Sequence, residues 1–143
     1  MLINEVLHDV RFRSFFMTGN LVCKFLVLFF RFSNSGWVSL TISEGVSRFL
    51  KLDSEPELLE LSEINDEFAY PIRSLSGLDK YLGLKILSVC EYRISDVDEG
   101  CVGVYLNFGS CGLSVIESNE CLSVVDDMVE FYDSKISLLE MRV

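Results

Sequence analysis

The side chains of this sequence that could carry out chemistry, judged by their number and spacing, are its carboxylates. Two short acidic stretches accompany one alternating apolar segment, the first just before it and the second within it. Clustered carboxylates hold metal ions, act as general acids and bases, or attract a basic partner. The polar residues of the two stretches are Asp96, Asp98, Glu99, Glu117, Asn119 and Glu120.

The sequence disfavours a metal site and a catalytic centre. The run from Asp96 to Gly100 resembles the start of a calcium loop, but the later ligand positions, including the terminal bidentate Glu, are missing. Zinc requires closely spaced Cys and His pairs, and nucleophilic catalysis requires a base beside the nucleophile, yet His8 is the one histidine. No glycine-rich phosphate loop precedes a helical pattern. We therefore expect a protein that is not an enzyme and needs no metal or other cofactor.

Residues 101–125 position these carboxylates. Apolar residues alternate with others from Val102 to Phe108, which is typical of a strand with one buried face. Gly109-Ser110 predicts a two-residue hairpin turn, because glycine reaches positive φ without a steric penalty. Residues 117–120 predict a four-residue loop to a third strand. The prediction is an antiparallel meander that pairs Leu106 with Leu113, and Leu113 with Val124.

The meander brings the two acidic stretches to one end of the sheet. Tyr105 falls on the face turned away from the core, whereas Asp126 and Asp127 fall at the opposite end. We therefore predict an acidic docking surface for a protein partner. Its candidate residues are Asp96, Asp98, Glu99, Tyr105, Glu117, Asn119 and Glu120.

The rest of the chain predicts an α+β fold in a single domain, 1–143. It is predominantly an antiparallel β-sheet with a C-terminal β-meander and one to three short helices. Residues 21–32 are too short to span a membrane and predict a buried central strand, which pairs with 37–42. Residues 53–67 predict a short helix capped by Ser54, and 76–83 one or two helical turns. The ends, 2–17 and 127–143, fit either helix or strand.

Charge and cysteine usage limit the partners. Residues 1–51 carry 6 basic and 3 acidic residues, which leaves 6 basic and 19 acidic residues for 52–143, so the net charge of −10 is uneven. The negative surface disfavours nucleic acid and attracts a basic protein, or serves only to keep a hydrophobic domain soluble. Five cysteines, without a C-x-x-C motif or a signal peptide, indicate reduced thiols in the cytoplasm.

The run V-G-V-Y-L-N-F-G-S-C-G-L-S-V-I-E-S-N-E-C-L-S-V resembles the C-terminal sheet of small bacterial immunity proteins, which protect a cell from its own polymorphic or contact-dependent toxin. The resemblance covers residues 84–127. It implies a cytoplasmic protein that binds and neutralises a cognate toxin domain, typically a basic nuclease whose active site is covered by acidic side chains. An adaptor or regulatory module is the alternative, followed by a small-ligand-binding domain.

Overall fold

The structure is a computed structural model that describes residues 2–133 and 135–141. Strands make up 56% of it and helical turns 4%. Single 3₁₀ turns at Leu61–Glu63 and Asp79–Tyr81 are the helical pieces of the described residues. The strands are β1 (Leu7–Met17), β2 (Asn20–Phe32), β3 (Gly36–Ser43), β4 (Val46–Lys51), β5 (Phe68–Ala69), β6 (Ile72–Ser74), β7 (Ser88–Ile94), β8 (Cys101–Asn107), β9 (Gly112–Ser118), β10 (Cys121–Asp126) and β11 (Ile136–Glu140).

The strands form one curled antiparallel sheet. Its order is β11-β7-β8-β9-β10-β2-β1-β5, with β3 beside β2, β4 beside β3 and β6 beside β1. The β1–β2 ladder shifts register at three places, including the step from Arg13 to Phe15. Such bulges bend a strand pair and increase its twist. The curl brings β3 and β4 into contact with β8.

The main hydrophobic core lies inside the curl. Inward residues of β8 and β9 meet inward residues of β2 and β3, and a smaller apolar cluster of Phe29, Trp37 and Ile72 lies on the outer face. Fully buried members of the main core include Leu28, Phe30, Val38, Leu40, Val104, Leu106, Leu113 and Val115.

The predicted α+β class is wrong, because the fold is nearly all β. The helix expected in 53–67 is replaced by an extended segment that is bonded to the sheet. Arg11 donates from Nη1 to the carbonyl of Pro56 at 2.7 Å, and Leu59 and Ile72 exchange backbone hydrogen bonds of 2.9 and 3.0 Å. A short isolated helix is marginal in water, so these long-range contacts outweigh the local capping signals. Of the turns expected in 76–83, only Asp79–Tyr81 forms.

The two N-terminal predictions have clear outcomes. Residues 2–17, which fitted a helix or a strand, contain β1. The run 21–32 is a central strand as predicted, because β2 pairs with β1 along its length and with β3 and β10 on its other side. It is buried only in part, since Leu21 and Val22 are exposed. Its hairpin with β3 is confirmed.

The meander exists, with one change of register. The β8–β9 pairing of Leu106 with Leu113 is confirmed, and Gly109 has a φ of +91° in the turn. In the next hairpin Val124 pairs with Val115 rather than with Leu113. The turn has two residues rather than four, so the ladder is displaced by two. A shift of two preserves which face is buried.

The C-terminal region, 127–143, which fitted either helix or strand, contains β11, which pairs with β7 at the edge of the sheet. Residues 134, 142 and 143 of that region lie outside the described residues. Within the described part of the chain, no helix is long and apolar enough to cross a membrane.

Candidate functional site

The loop of residues 95–100 joins β7 to β8 and carries the first acidic stretch. Its base is held by backbone hydrogen bonds, from Ile94 N to the carbonyl of Gly100 at 2.8 Å and from Ser95 N to the carbonyl of Lys135 at 2.7 Å. Arg93 also folds over the loop and donates to the backbone carbonyls of Val97 and Asp98. The loop backbone is therefore anchored, while the side chains of Asp96, Asp98 and Glu99 are exposed.

The β9–β10 turn carries the second acidic stretch. Ser118 pairs with Cys121, so Asn119 and Glu120 form a two-residue turn, with φ of 53° and 64°. Positive φ at both positions is the conformation that matches the twist of paired strands. Both turn residues are exposed. Glu117 lies one residue back in β9, half-buried and opposite Leu122.

A third connection, the β3–β4 turn, packs against the 95–100 loop, and this contact was not predicted. Glu44-Gly45 is the β3–β4 turn, and Cys101 N donates to the carbonyl of Gly45 at 2.9 Å. The fit is close: a Cβ on Gly45 would lie 1.7 Å from the carbonyl oxygen of Glu99. Glu44 is exposed beside the 95–100 loop as a result. The contact spans more than 50 residues of sequence, so spacing could not predict it.

The carboxylates of these three connections and of the adjoining end of β9 are called the acidic end below. Because β8 and β9 are adjacent and antiparallel, the loop entering β8 and the turn leaving β9 lie at the same end of the sheet, as predicted. No described residue forms an ion pair with any of its carboxylates. The acidic end consists of Glu44, Asp96, Asp98, Glu99, Glu117 and Glu120.

The opposite end of the meander differs, because the carboxylate of Asp126 already has partners within the protein. Asp126 forms an ion pair with Lys80 at 2.6 Å and accepts a hydrogen bond from the buried Tyr81 hydroxyl, which also donates to the carbonyl of Gly112. The hydrogen bonds from Lys80 and Tyr81 lower the pKa of Asp126. Burial, with the Asp126 hydrogen bond, raises the pKa of Tyr81. Asp126 is therefore a structural residue.

Tyr105 does not lie with the acidic end. Only 5% of it is exposed, and its hydroxyl packs against Gly112, where a Cβ would come within 1.9 Å of it. Burial, followed by the charge of Asp127, raises the pKa of Tyr105. The face away from the core is thus covered near Tyr105: Tyr92 contacts Phe131 and accepts a hydrogen bond from Val129 N at 3.1 Å.

An open groove of about 560 Å³ runs between the 95–100 loop and β11. Asp96 and Asp98 line one side, Leu139 lines the other, and Val97 is 48% exposed beside it. The acidic end therefore includes an accessible apolar side chain among its carboxylates.

Cys101, at the start of β8 beside this end, is poorly suited to nucleophilic chemistry. Burial, reinforced by a hydrogen bond to Glu91, raises the pKa of Cys101 to about 11. A thiol is nucleophilic as its thiolate, so Cys101 is inert at neutral pH. Within 2–133 and 135–141, no group of three or more His, Cys, Asp or Glu side chains is arranged to hold a metal ion.

Two other cysteines depart from the expectation of reduced thiols. Cys23 of β2 and Cys121 of β10 form a disulfide, with their Cα atoms 5.8 Å apart and a sequence separation of 98. Cys121 directly follows the acidic turn residue Glu120. No spacing motif in the sequence predicts this pair.

No known protein family, curated protein or solved structure matches this chain.

Proposed function

We propose that this chain is a non-catalytic protein-binding domain that docks a basic partner through the acidic end. The observation that carries the proposal is the set of carboxylates gathered there from three separate connections, without an ion-pair partner among the described residues. Like charges held together on anchored backbone repel one another. A partner that supplies positive charge relieves that repulsion.

Electrostatics at this surface act mainly on the rate of association. Exposed carboxylates stay hydrated and add little to affinity, but their summed field attracts a basic protein and raises the association rate by about 10- to 10³-fold at low salt. A long-lived complex also requires a desolvated apolar anchor. Val97, exposed between Asp96 and Asp98, supplies an apolar contact at the centre of the loop.

The particular function we propose is immunity. The resemblance of residues 84–127 to the sheet of bacterial immunity proteins suggests that the partner is a cognate toxin domain, and a basic nuclease fits the charge of the acidic end. Binding there would cover the toxin's active site with carboxylates. The proposal includes a cytoplasmic location, where such a toxin acts. An adaptor or regulatory module would use the same surface without protecting the cell.

Co-expression tests the proposal. A candidate toxin domain, chosen from the genes adjacent to this one, is produced in cells with and without the chain, and complex formation is followed by size-exclusion chromatography of the purified pair. We expect survival only with the chain, and co-elution of the two proteins. Co-elution without survival would favour the adaptor alternative, whereas absence of both would refute binding to that domain.

A further inference from the structure

The Cys23–Cys121 disulfide lies at the junction between the two halves of the sheet. The meander side comprises β7 to β11, and the other side comprises β1 to β6. The β10–β2 ladder that joins them has one register pair, Leu122 with Phe25, whereas the β9–β10 ladder has six. The disulfide is therefore a covalent link across the shortest ladder on the path around the sheet, with Cys121 one residue from Leu122 and Cys23 two residues from Phe25.

The bond also connects two exposed features. Glu120, in the acidic end, immediately precedes Cys121, and Val22, which is 56% exposed, immediately precedes Cys23. With the cysteine Cα atoms 5.8 Å apart, the acidic turn is held beside this stretch of β2. Without the bond, the start of β10 retains its ladder to β9, whereas its ladder to β2 consists of the single Leu122 pair.

The two cysteine residues differ in exposure. Cys23 is 7% exposed, whereas Cys121 is half-buried at the start of its strand. We therefore expect an external thiolate to attack the disulfide at Cys121, with the Cys23 sulfur as the leaving group. Of the free cysteines, Cys90 and Cys101 have pKa values raised by burial, so they stay protonated and do not compete.

We propose that the Cys23–Cys121 pair is a thiol–disulfide switch that sets how firmly the acidic turn is held against β2. A glutathione thiolate attacks the Cys121 sulfur, forms a mixed disulfide and expels the Cys23 thiolate, which takes up a proton. A second glutathione thiolate attacks the glutathione sulfur of the mixed disulfide, which releases glutathione disulfide and the Cys121 thiolate, and that thiolate is protonated in turn. The reverse reaction, with glutathione disulfide as the oxidant, closes the bond.

The consequence for binding rests on the proposed function. Oxidation fixes the Glu120 end of the acidic surface, so the oxidised protein presents its carboxylates in one arrangement. Reduction lets the turn and the start of β10 move relative to β2, which weakens binding because the surface must then be ordered when the partner docks.

The first test needs no partner. The chain is equilibrated in glutathione buffers of graded redox ratio, alkylated and analysed by mass spectrometry, and backbone amide exchange is followed in parallel. We expect two cysteines, Cys23 and Cys121, to change state together. We also expect exchange to rise at least 10-fold in 121–125 and 22–26 on reduction, with little change in 103–107.

Two variants make that test specific. The double variant Cys23→Ala/Cys121→Ala should show the exchange pattern of the reduced protein in every buffer, whereas Cys111→Ala, at a half-exposed free cysteine, should titrate like the unaltered chain. Chemical reduction of the unaltered protein gives the same comparison if the double variant does not fold. The switch is refuted if both thiols stay alkylatable in the most oxidising buffer, or if exchange rises equally in β8.

A second test separates the switch from the proposed function. Binding of the neighbouring toxin domain is measured with the oxidised chain and with the Ala double variant. Weaker binding by the variant supports the switch as a control on docking. An unchanged affinity, with the exchange result intact, overturns the link to docking, and failure of both forms to bind points instead at the proposed function.

Discussion

Glu5 is a buried carboxylate on which the β2–β3 hairpin depends. Only 3% of it is exposed. Its Oε1 accepts hydrogen bonds from Asn34 N at 2.8 Å and Ser35 N at 2.7 Å, and its Oε2 accepts one from the Ser35 hydroxyl. Burial alone would raise the pKa of Glu5, but these hydrogen bonds and the charge of Lys51 lower it below its ordinary value of 4.5.

The perturbation is Glu5→Gln, which keeps the size of the side chain and removes its charge. The amide retains an acceptor oxygen but places an NH₂ group where the other oxygen accepted a hydrogen bond. Hydrogen bonds to a charged group contribute about 1.5–3 kcal/mol each, and part of that total offsets the burial of the charge. We expect the free energy of unfolding to fall by about 2–3 kcal/mol.

Urea unfolding at pH 7 without reductant measures this loss. The single tryptophan, Trp37, is buried one residue beyond the hairpin turn and reports by fluorescence. With a slope of about 1–3 kcal/mol per molar urea, the midpoint should fall by about 0.7–3 M. Glu57→Gln is the matched control, because Glu57 is exposed and has no hydrogen bond or ion pair among the described residues.

The pH dependence gives an independent check. A carboxylate whose pKa is lowered by folding stabilises the folded state above its unfolded pKa, and this contribution is lost as pH falls through the folded pKa. The difference between the unaltered chain and Glu5→Gln should therefore be constant from pH 7 to about 5.5 and shrink below about pH 4.5. Equal stability of the two proteins at pH 7, or a difference that does not change down to pH 3, would refute this account of Glu5.

Four further outcomes are expected. Gly45→Ala should destabilise the fold by about 1–3 kcal/mol more than Gly19→Ala, because both glycines have positive φ but only the Gly45 Cβ would meet the Glu99 carbonyl; equal urea midpoints would contradict that contact. Gly112→Ala should cost about 1–3 kcal/mol through its clash with Tyr105, again by urea unfolding; no loss would show that Tyr105 is free to move. Tyr92→Phe removes a 2.7 Å hydrogen bond to Ser114 and one from Val129, so protease cleavage within 127–133 should quicken while stability falls by about 1 kcal/mol; unchanged cleavage would contradict the anchoring. Cys23→Ala/Cys121→Ala opens a loop of about 100 residues and should lower the free energy of unfolding by about 4 kcal/mol, whereas Cys111→Ala should leave it nearly unchanged.

The meander shows how far local pattern determines the structure. Alternation from Val102 to Phe108 and the Gly109 turn were sufficient to predict the β8–β9 register. The β9–β10 turn was predicted to have four residues, but it has two. The shorter turn places Glu120 in the left-handed region, and the sequence did not suggest it because Glu has little preference for positive φ. The buried face was still predicted correctly, since the error was two residues.

Long-range contacts account for the features that the sequence did not predict. The cap at Ser54 favoured a helix, but Arg11 and Ile72 hold that segment extended along the sheet. Tyr105 was expected on an open face. That face is covered by residues 127–131, which follow Tyr105 by more than 20 residues in the sequence. The approach of Glu44 to the acidic end and the pairing of Cys23 with Cys121 likewise depend on how the sheet curls, and no spacing in the sequence encodes that curl.

The central claim is that the acidic end attracts a basic partner, and the association rate tests it most directly. One variant reverses three exposed residues of the acidic end, Asp98→Lys, Glu99→Lys and Glu120→Lys. The other reverses Glu57, Asp66 and Glu67, which are exposed elsewhere and have no ion pair among the described residues. Each set changes the formal net charge from −10 by six units to −4.

Stopped-flow association with the neighbouring toxin domain is measured at 20 and at about 300 mM salt, where screening lengths differ severalfold. We predict that the acidic-end variant associates at least about 10-fold more slowly at low salt, that the control variant changes by less than about 3-fold, and that the difference nearly disappears at high salt. Equal slowing by both variants would show that net charge alone matters. An unchanged rate for the acidic-end variant would contradict docking at this end of the sheet.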